Sequence, residues 1–492
     1  MVFLFHRPSR SRRRCPSQVS VCLSAFFSAW CFLEPPPARA AGGRDHLFLA
    51  EVLESVKSRY PPYLAALIER DIANGSARQA LGQFDLALSV DGFANPSGFY
   101  DGSGARSILA QPLPFGGGTV FGGYRLSSGF LPDYNKERTG EDGQAILGFS
   151  MPLLQNARID KNRAELWKAS IDQELADPII LRQYLDFIRA ATISYYTWLA
   201  AGQRLSLAEE VLQIAKDRDL SLAEQIARGA SAPIVRVDNR GLVVTREIGV
   251  VQALRKFQAT AIELSLFHRD GETGEPLIAS RFEIPGAFPA PAAPKESRLT
   301  PDLAGALAQR PEIRRLDLLL EKMSIDLRLA REGLLPKMDV GVEASQGLDG
   351  NRPKDIEKTE IDATLRFSLP LQRREAKGQI ERIEGETGQL SRERDFARDR
   401  IVADVRDSFS ALVAAYEGIR LSSENVALAD QLERAQVERL AEGVTDLLAL
   451  QLREKAAYDA RQLEVEALSA YFRALADYEA AVAANAPAAL LP

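Results

Sequence analysis

The chain has 492 residues, with 61 Lys and Arg against 67 Asp and Glu and a formal net charge of -6. That length holds two or three globular domains or one elongated body, and the acidic balance disfavours nucleic acid, which needs a basic footprint. The three cysteines stand at positions 15, 22 and 31, so disulfides and thiol chemistry are excluded from everything downstream.

Arg7, Arg10, Arg12, Arg13 and Arg14 precede an apolar run from Val19 to Leu33, and EPPPARA follows with small residues at Ala38 and Ala40. This layout predicts a secretory signal peptide over residues 1–40, cleaved after Ala40. The apolar run of 15 residues is short of the roughly 20 that a membrane span needs. A lipoprotein role for Cys31 is disfavoured by the bulky Trp30 before it. Loss of residues 1–40 removes six Arg and one Glu, which takes the formal charge from -6 to -11. Beyond the leader no run of about 18 apolar residues occurs, so a membrane crossing requires a closed β-barrel.

In chain order, RYPPYL with Pro62 predicts a helix start, and FDLALSVD then alternates. Phe84, Leu86, Leu88 and Val90 fall on one face and Asp85, Ala87, Ser89 and Asp91 on the other. FGGGTVFGGY, Phe115 to Tyr124, lacks the Lys-Ser/Thr ending of a phosphate loop and reads as a glycine-bent turn and strand. AILGFSM alternates weakly into FSMPL, Phe149 to Leu153. A helical rod follows from Asn156 to Arg228, interrupted only by Pro178, and roughly 70 residues at 1.5 Å each reach on the order of 100 Å. Leu205 and Leu212, and Ala208, Ala215 and Leu222, keep a seven-residue coiled-coil step. The rod stops at RGASAP, and a second helix is predicted from Ile234 to His268.

Asp270 to Leu299 is rich in Pro, Gly and Ala and reads as a connection. The pattern then recurs. QRPEIR supplies Pro311, MDVGVEAS and IDATLRFSL alternate, and FSLPL stands at Phe367 to Leu371. A second rod runs from Arg373 to Glu442, with Leu421, Leu428 and Ala435 at the same step and Leu432 between them. EGVTD breaks it, and a last helix runs from Leu447 to Ala484. In both breaks a Ser or Thr two residues past Gly229 or Gly443 is placed to cap the next helix. The offsets between equivalent landmarks locate an excess of 31 residues before the first FSMPL, within Phe93 to Gly129. Alternation alone fits a membrane strand or a half-solvated soluble one.

The segments therefore divide as 1–40 signal peptide, 41–268 first repeat, 269–299 connection, 300–484 second repeat and 485–492 tail. Outside the leader only His46 and His268 remain, neither beside a second ligand at metal spacing. The acidic residues of the rods, such as Glu209, Glu210, Asp217 and Asp219, read as a solvated face, and no nucleophile, base and orienting group assemble. No enzyme, cofactor or metal is expected.

The duplicated FSMPLL and FSLPLQ, the turns RGASAPIVRVDNR and EGVTDLLALQLRE, and the start VLESVKSRYPPYLAAL resemble the TolC family of outer-membrane channels. The resemblance implies a mainly α fold with a membrane β-barrel portion, in a homotrimer with an internal two-fold repeat. Each chain would give four strands to one twelve-stranded barrel and its coiled-coil hairpins to a tunnel across the periplasm. It implies a passive exit duct of an efflux pump or type I secretion system, working with a periplasmic adaptor and an inner-membrane transporter. A periplasmic adaptor or a coiled-coil envelope protein is the alternative.

The resemblance implies roles for particular residues. Phe84, Leu86, Phe149, Leu365 and Phe367 would face outer-membrane lipid, and Pro152 and Pro370 would mark the change from strand to helix. Gly229, Ser231, Asp238, Gly443, Thr445 and Asp446 would form the periplasmic tip and meet the adaptor. Some relatives carry Asp six and nine residues after the tip glycine. Here those positions hold Val235 and Asp238, and Ala449 and Leu452, so an acidic ring is at best partial.

Overall fold

The computed structural model describes residues 46–132, 138–348 and 359–490; the leader, its cysteines and its cleavage site lie outside them. Three short helices open the described chain: α1 (Leu49–Arg59), α2 (Pro61–Leu67) and α3 (Glu69–Leu81). Pro61 and Pro62 take the first two positions of α2, where a missing N–H and a preset φ cost nothing. Strands β1 (Ala87–Asn95), β2 (Gly102–Pro112), β3 (Thr119–Gly129) and β4 (Gln144–Pro152) follow. Then come α4 (Lys161–Ala227) and α5 (Pro233–Ser265).

The second part runs α6 (Leu299–Gln309), α7 (Pro311–Glu332), β5 (Lys337–Gly347), β6 (Glu360–Ser368), α8 (Arg374–Ala441) and α9 (Leu447–Ala481). The two rods hold 67 and 68 residues, and α4 runs through Pro178 without a break. Among the described residues no helix is long and apolar enough to cross a membrane.

Among the described residues, six strands form one sheet in the order β1-β2-β3-β4-β5-β6, each antiparallel to its neighbours. This corrects the expected four strands per chain. The 31-residue excess is the hairpin β2–β3, inserted between β1 and β4. Alternation did not expose it because Gly102, Gly104, Gly122 and Gly123 lie inside these strands, and glycine brings no side chain to set a face.

Phe84 is likewise corrected. It ends a single 3-10 turn, Gly82–Phe84, before β1 begins, and its carbonyl accepts from the Gln111 side chain. An alternating run can be extended back one step too far when the residue before a strand is itself apolar.

Helices pack in two tiers. Toward the sheet, α3 lies on α4, and α7 lies against both α4 and α8. Toward the hairpin turns the order is α5-α4-α9-α8. Ala208, Ala215, Leu222 and Leu205 of the α4 seam are buried as their spacing predicts. On α8 the expected seam is exposed: Leu421 and Leu428 are each 55% exposed and Leu432 is 49%. That helix instead buries Ile401, Val405, Phe409, Leu412 and Ile419. Heptad spacing shows that a stripe exists; it does not say which neighbour the stripe meets.

The connection between the halves, with short 3-10 turns at Arg281–Glu283 and Glu296–Arg298, clamps the middle of the helices. Phe288 stacks on Tyr196 and Phe472 at 6.1 and 5.7 Å. The Tyr471 hydroxyl donates to the Ala292 carbonyl at 2.8 Å.

Candidate functional site

The sheet has two chemically distinct faces. Register places Leu88 beside Leu109, Val120 beside Phe149, Phe149 beside Val342 and Val340 beside Leu365. This face is open: Val90 is 68% exposed, Leu147 64%, Leu365 65% and Phe367 61%. Leu86, one residue ahead of β1, is exposed as well. A contiguous apolar surface of this kind needs an apolar partner. On the opposite face Asp91 pairs with Arg106, Arg106 with Arg125, and Glu343 with Asp362. Glu343 lies 3.7 Å from Arg106 and 3.8 Å from Arg125, bridging two like charges. The Arg125 Nε donates to Gln144 Oε1 at 2.8 Å. Apolar on one side and charged on the other is what a barrel between lipid and a watery lumen requires.

Pro152 is the last residue of β4, and Pro370 stands two residues past β6, so both lie where strand gives way to helix. Each passage includes one non-glycine residue in the left-handed region, Asn156 at φ 70° and Arg373 at φ 50°. The first passage is densely bonded. Asp160 caps α4 by accepting from the Arg163 amide at 2.9 Å, and its other oxygen accepts from Arg163 Nε at 2.7 Å. The same buried guanidinium donates to the carbonyls of Asn156, Ala157 and Arg158. Glu332 at the end of α7 accepts from the Asn156 amide at 3.2 Å. The second passage has Arg373 as helix cap with no side-chain cap bond.

The hairpin turns are built alike. Gly229 and Gly443 have φ 73° and 72°. The amide of Gly229 donates to Ile226 and that of Ala230 to Gln225, while Gly443 donates to Leu440 and Val444 to Arg439. This double bonding pattern satisfies the orphan carbonyls at the end of each rod and calls for glycine at the left-handed position. The expected caps are corrected: Ala232 and Asp446, not Ser231 and Thr445, stand at the starts of α5 and α9. Pro233 at the first position of α5 presets the turn there, and the Asp446 carboxylate accepts from the Ala449 amide at 2.8 Å. Thr445 instead accepts from the Gln436 side chain at 2.6 Å, tying α8 to the turn. Asp238, Leu452, Gly229 and Gly443 are exposed near these ends.

Ion pairs join the two hairpins along α4 and α9. Arg218 pairs with Glu454, Arg204 with Glu466, and Arg189 with Asp477 at 2.5 Å. Arg461 of α9 is 3.0 Å from Asp430 of α8 and 3.9 Å from Glu210 of α4. Asp219 near the first turn is held below the usual carboxylate range by its hydrogen bond from Arg236 of α5. Glu210 and Asp219, expected as solvated acids, meet Arg461 and Arg236 on other helices, and charges on a different helix have no signature in a single stretch of sequence. Among the described residues no group of three or more His, Cys, Asp and Glu is placed to hold a metal.

Residues 303–484 match the family described as Outer membrane efflux protein. No curated protein matches the chain by sequence. Solved structures match its fold. A membrane protein from Pseudomonas aeruginosa aligns at TM-score 0.63 and 13% identity, covering 88% of this chain and 92% of that one. The Campylobacter jejuni CmeC outer membrane channel aligns at 0.62 and 12%, covering 88% and 85%. The open state of the Neisseria gonorrhoeae MtrE outer membrane channel aligns at 0.62 and 14%, covering 88% of each. Residues 303–484 thus carry the outer membrane efflux protein family's pattern, and the chain as a whole has the TolC-like fold of outer-membrane channels.

Proposed function

We propose that this chain is the exit duct of a tripartite efflux pump or type I secretion system, a passive channel that runs from the periplasm through the outer membrane. The single observation that carries the reading is that the protomer is an open wall. Its sheet ends in β1 and β6, and its lower helices end in α5 and α8. Both helical flanks carry unpartnered coiled-coil stripes. On α5 these are Val237, Val244 and Val251, seven apart and 55 to 66% exposed, with Ile234 one turn before the first and Ile248 between the last two. On α8 they are Leu421, Leu428 and Leu432.

Two different flanks that complement one another generate a ring of copies, and in the homotrimer implied by the family resemblance α5 of one copy seats against α8 of the next. The apolar sheet face then meets lipid, through Leu86, Phe149, Leu365 and Phe367, and the charged face lines the pore. Gly229, Ser231, Asp238, Gly443, Thr445 and Asp446 sit at the periplasmic mouth, where a periplasmic adaptor docks and links the duct to its inner-membrane transporter.

The first test is fractionation. The protein is expected in outer-membrane fractions as a heat-resistant trimer on mild detergent gels; recovery as a soluble monomer sinks the reading. The second places cysteines at Ser231→Cys and Thr445→Cys and asks whether they cross-link to a co-expressed adaptor. Capture at neither position would remove the turns from the docking surface.

A further inference from the structure

The inserted hairpin changes the geometry of the pore. The sheet of each copy has two open edges: β1 is exposed along all nine residues and β6 along all but one, and among the described residues neither has a strand on its outer side. In hydrocarbon an open sheet edge has no water to satisfy its amides and carbonyls, so it must be paired. A second copy of this chain fits. With six antiparallel strands, β1 and β6 run in opposite directions, so β6 of one copy meets β1 of the next antiparallel. Asp91 on β1 and Arg366 on β6 lie on the same charged face of the sheet, bringing opposite charges to opposite edges.

Resting on the trimeric reading above, we propose that three copies of six strands (3 × 6 = 18) close an eighteen-stranded barrel. Strands about 4.8 Å apart and tilted about 40° each take roughly 6 Å of circumference. Six of them span about 37 Å. Four helices of the lower tier at about 9 to 10 Å apiece span roughly the same. The barrel therefore continues the tunnel without a step, at about 36 Å from backbone to backbone where twelve strands would make about 24 Å. Barrels of 16 to 18 strands leave an aqueous channel, so the outlet passes whatever the helical tunnel passes and does not select among cargoes.

The turn of the inserted hairpin is built to hold it in the sheet. Gly116 and Gly117 both adopt positive φ, 66° and 67°. A Cβ on Gly117 would stand 2.6 Å from the Asn156 carbonyl oxygen and 2.9 Å from the Pro152 ring. The turn is thus seated against the passage from β4 to α4, with the Arg163 guanidinium beside it at 3.2 Å from that Cβ.

The experiment uses the full chain in outer membranes, with Cys15, Cys22 and Cys31 replaced by Ser. Val90→Cys with Leu365→Cys, both on the outward face, is expected to give a ladder of covalent dimer and trimer with a short bismaleimide. If both cysteines label with a monofunctional maleimide and no ladder forms, or if the ladder stops at dimer, the edge pairing and the trimer fall together. Within one chain, Leu88→Cys with Leu109→Cys, direct partners in register, is expected to oxidise to a disulfide. Leu88→Cys with Leu147→Cys lies three strand spacings apart, about 14 Å, beyond disulfide reach, and is expected not to. A disulfide at that pair means that β1 meets β4 with the hairpin expelled, which overturns the eighteen strands while leaving the trimer standing.

Discussion

The two passages from strand to helix, after FSMPL and after FSLPL, share five-residue phrases and differ in how they are held. The first has a capping aspartate, a buried arginine serving three carbonyls, a glutamate from α7 and a glycine turn packed on top. The second has a left-handed arginine with no side-chain cap. The difference follows from the insertion. A glycine turn of the inserted hairpin packs against the first passage at the Asn156 carbonyl, the Pro152 ring and the Arg163 guanidinium, whereas residues around the second passage are mostly exposed and their polar groups can use solvent. A short phrase repeated in sequence therefore sets the role of a site, while the surroundings decide what the site must bond to.

The largest effect should come from breaking the first passage. Arg163→Ala takes the guanidinium from Asp160 Oδ2 and from three carbonyls while the amide of residue 163 still caps Asp160, at a cost of about 3 kcal/mol, the lower end for breaking a buried pair since Asp160 is partly exposed. Arg373→Ala at the second passage should cost under about 0.5 kcal/mol, the usual surface range. Thermal unfolding midpoints of the two variants compare the sites directly; equal losses would erase the distinction.

Next in size is the tie between the halves at Glu312. Burial works to raise its pKa, but the hydrogen bond and charge of Arg310, joined by Arg182, prevail and hold it below the ordinary carboxylate value. A depressed folded pKa gives stability that is present above the unfolded value, about 4.3, and lost as pH falls through the folded one. The wild type should therefore lose melting temperature more steeply than Glu312→Gln when pH drops from about 6 to below 4. Parallel profiles would show that the pair adds nothing.

The turns should respond less, and alike. Gly229→Ala and Gly443→Ala meet nothing within 4 Å, so only the left-handed backbone opposes them, at roughly 1 kcal/mol each. Unequal losses in chemical denaturation would show that the turns are not equivalent. The smallest change is Arg373→Gly, which relieves a left-handed arginine and should alter stability by no more than about 0.5 kcal/mol in either direction, since glycine's freedom in the unfolded chain offsets the relief. A loss above that in the same assay would reveal a bond made by the Arg373 side chain.

Much of the architecture is legible along the chain. The rods, their glycine stops and the alternating β4, β5 and β6 stand close to where periodicity puts them, because each signal is local: a seven-residue step, a left-handed glycine, a two-residue alternation. The hairpin β2–β3 escaped because its glycines erase alternation, and the exposure of Leu421 and Leu428 escaped because a stripe does not name its partner. The bond from the Asn156 amide to Glu332, 176 residues away, and the Arg218–Glu454 pair, 236 residues apart, leave no local trace at all.

Sequence by itself thus determined the long rods, their glycine stops and the order of the elements around the inserted hairpin, since backbone preference and hydrophobic period act over a few residues. Only the tertiary structure decided that the sheet has six strands, that its edges and the flanks of its helices are bare, and that one passage is clamped where the other is open. Those outcomes depend on which surfaces meet across hundreds of residues, and burial, pairing and charge compensation exist only once the chain has folded.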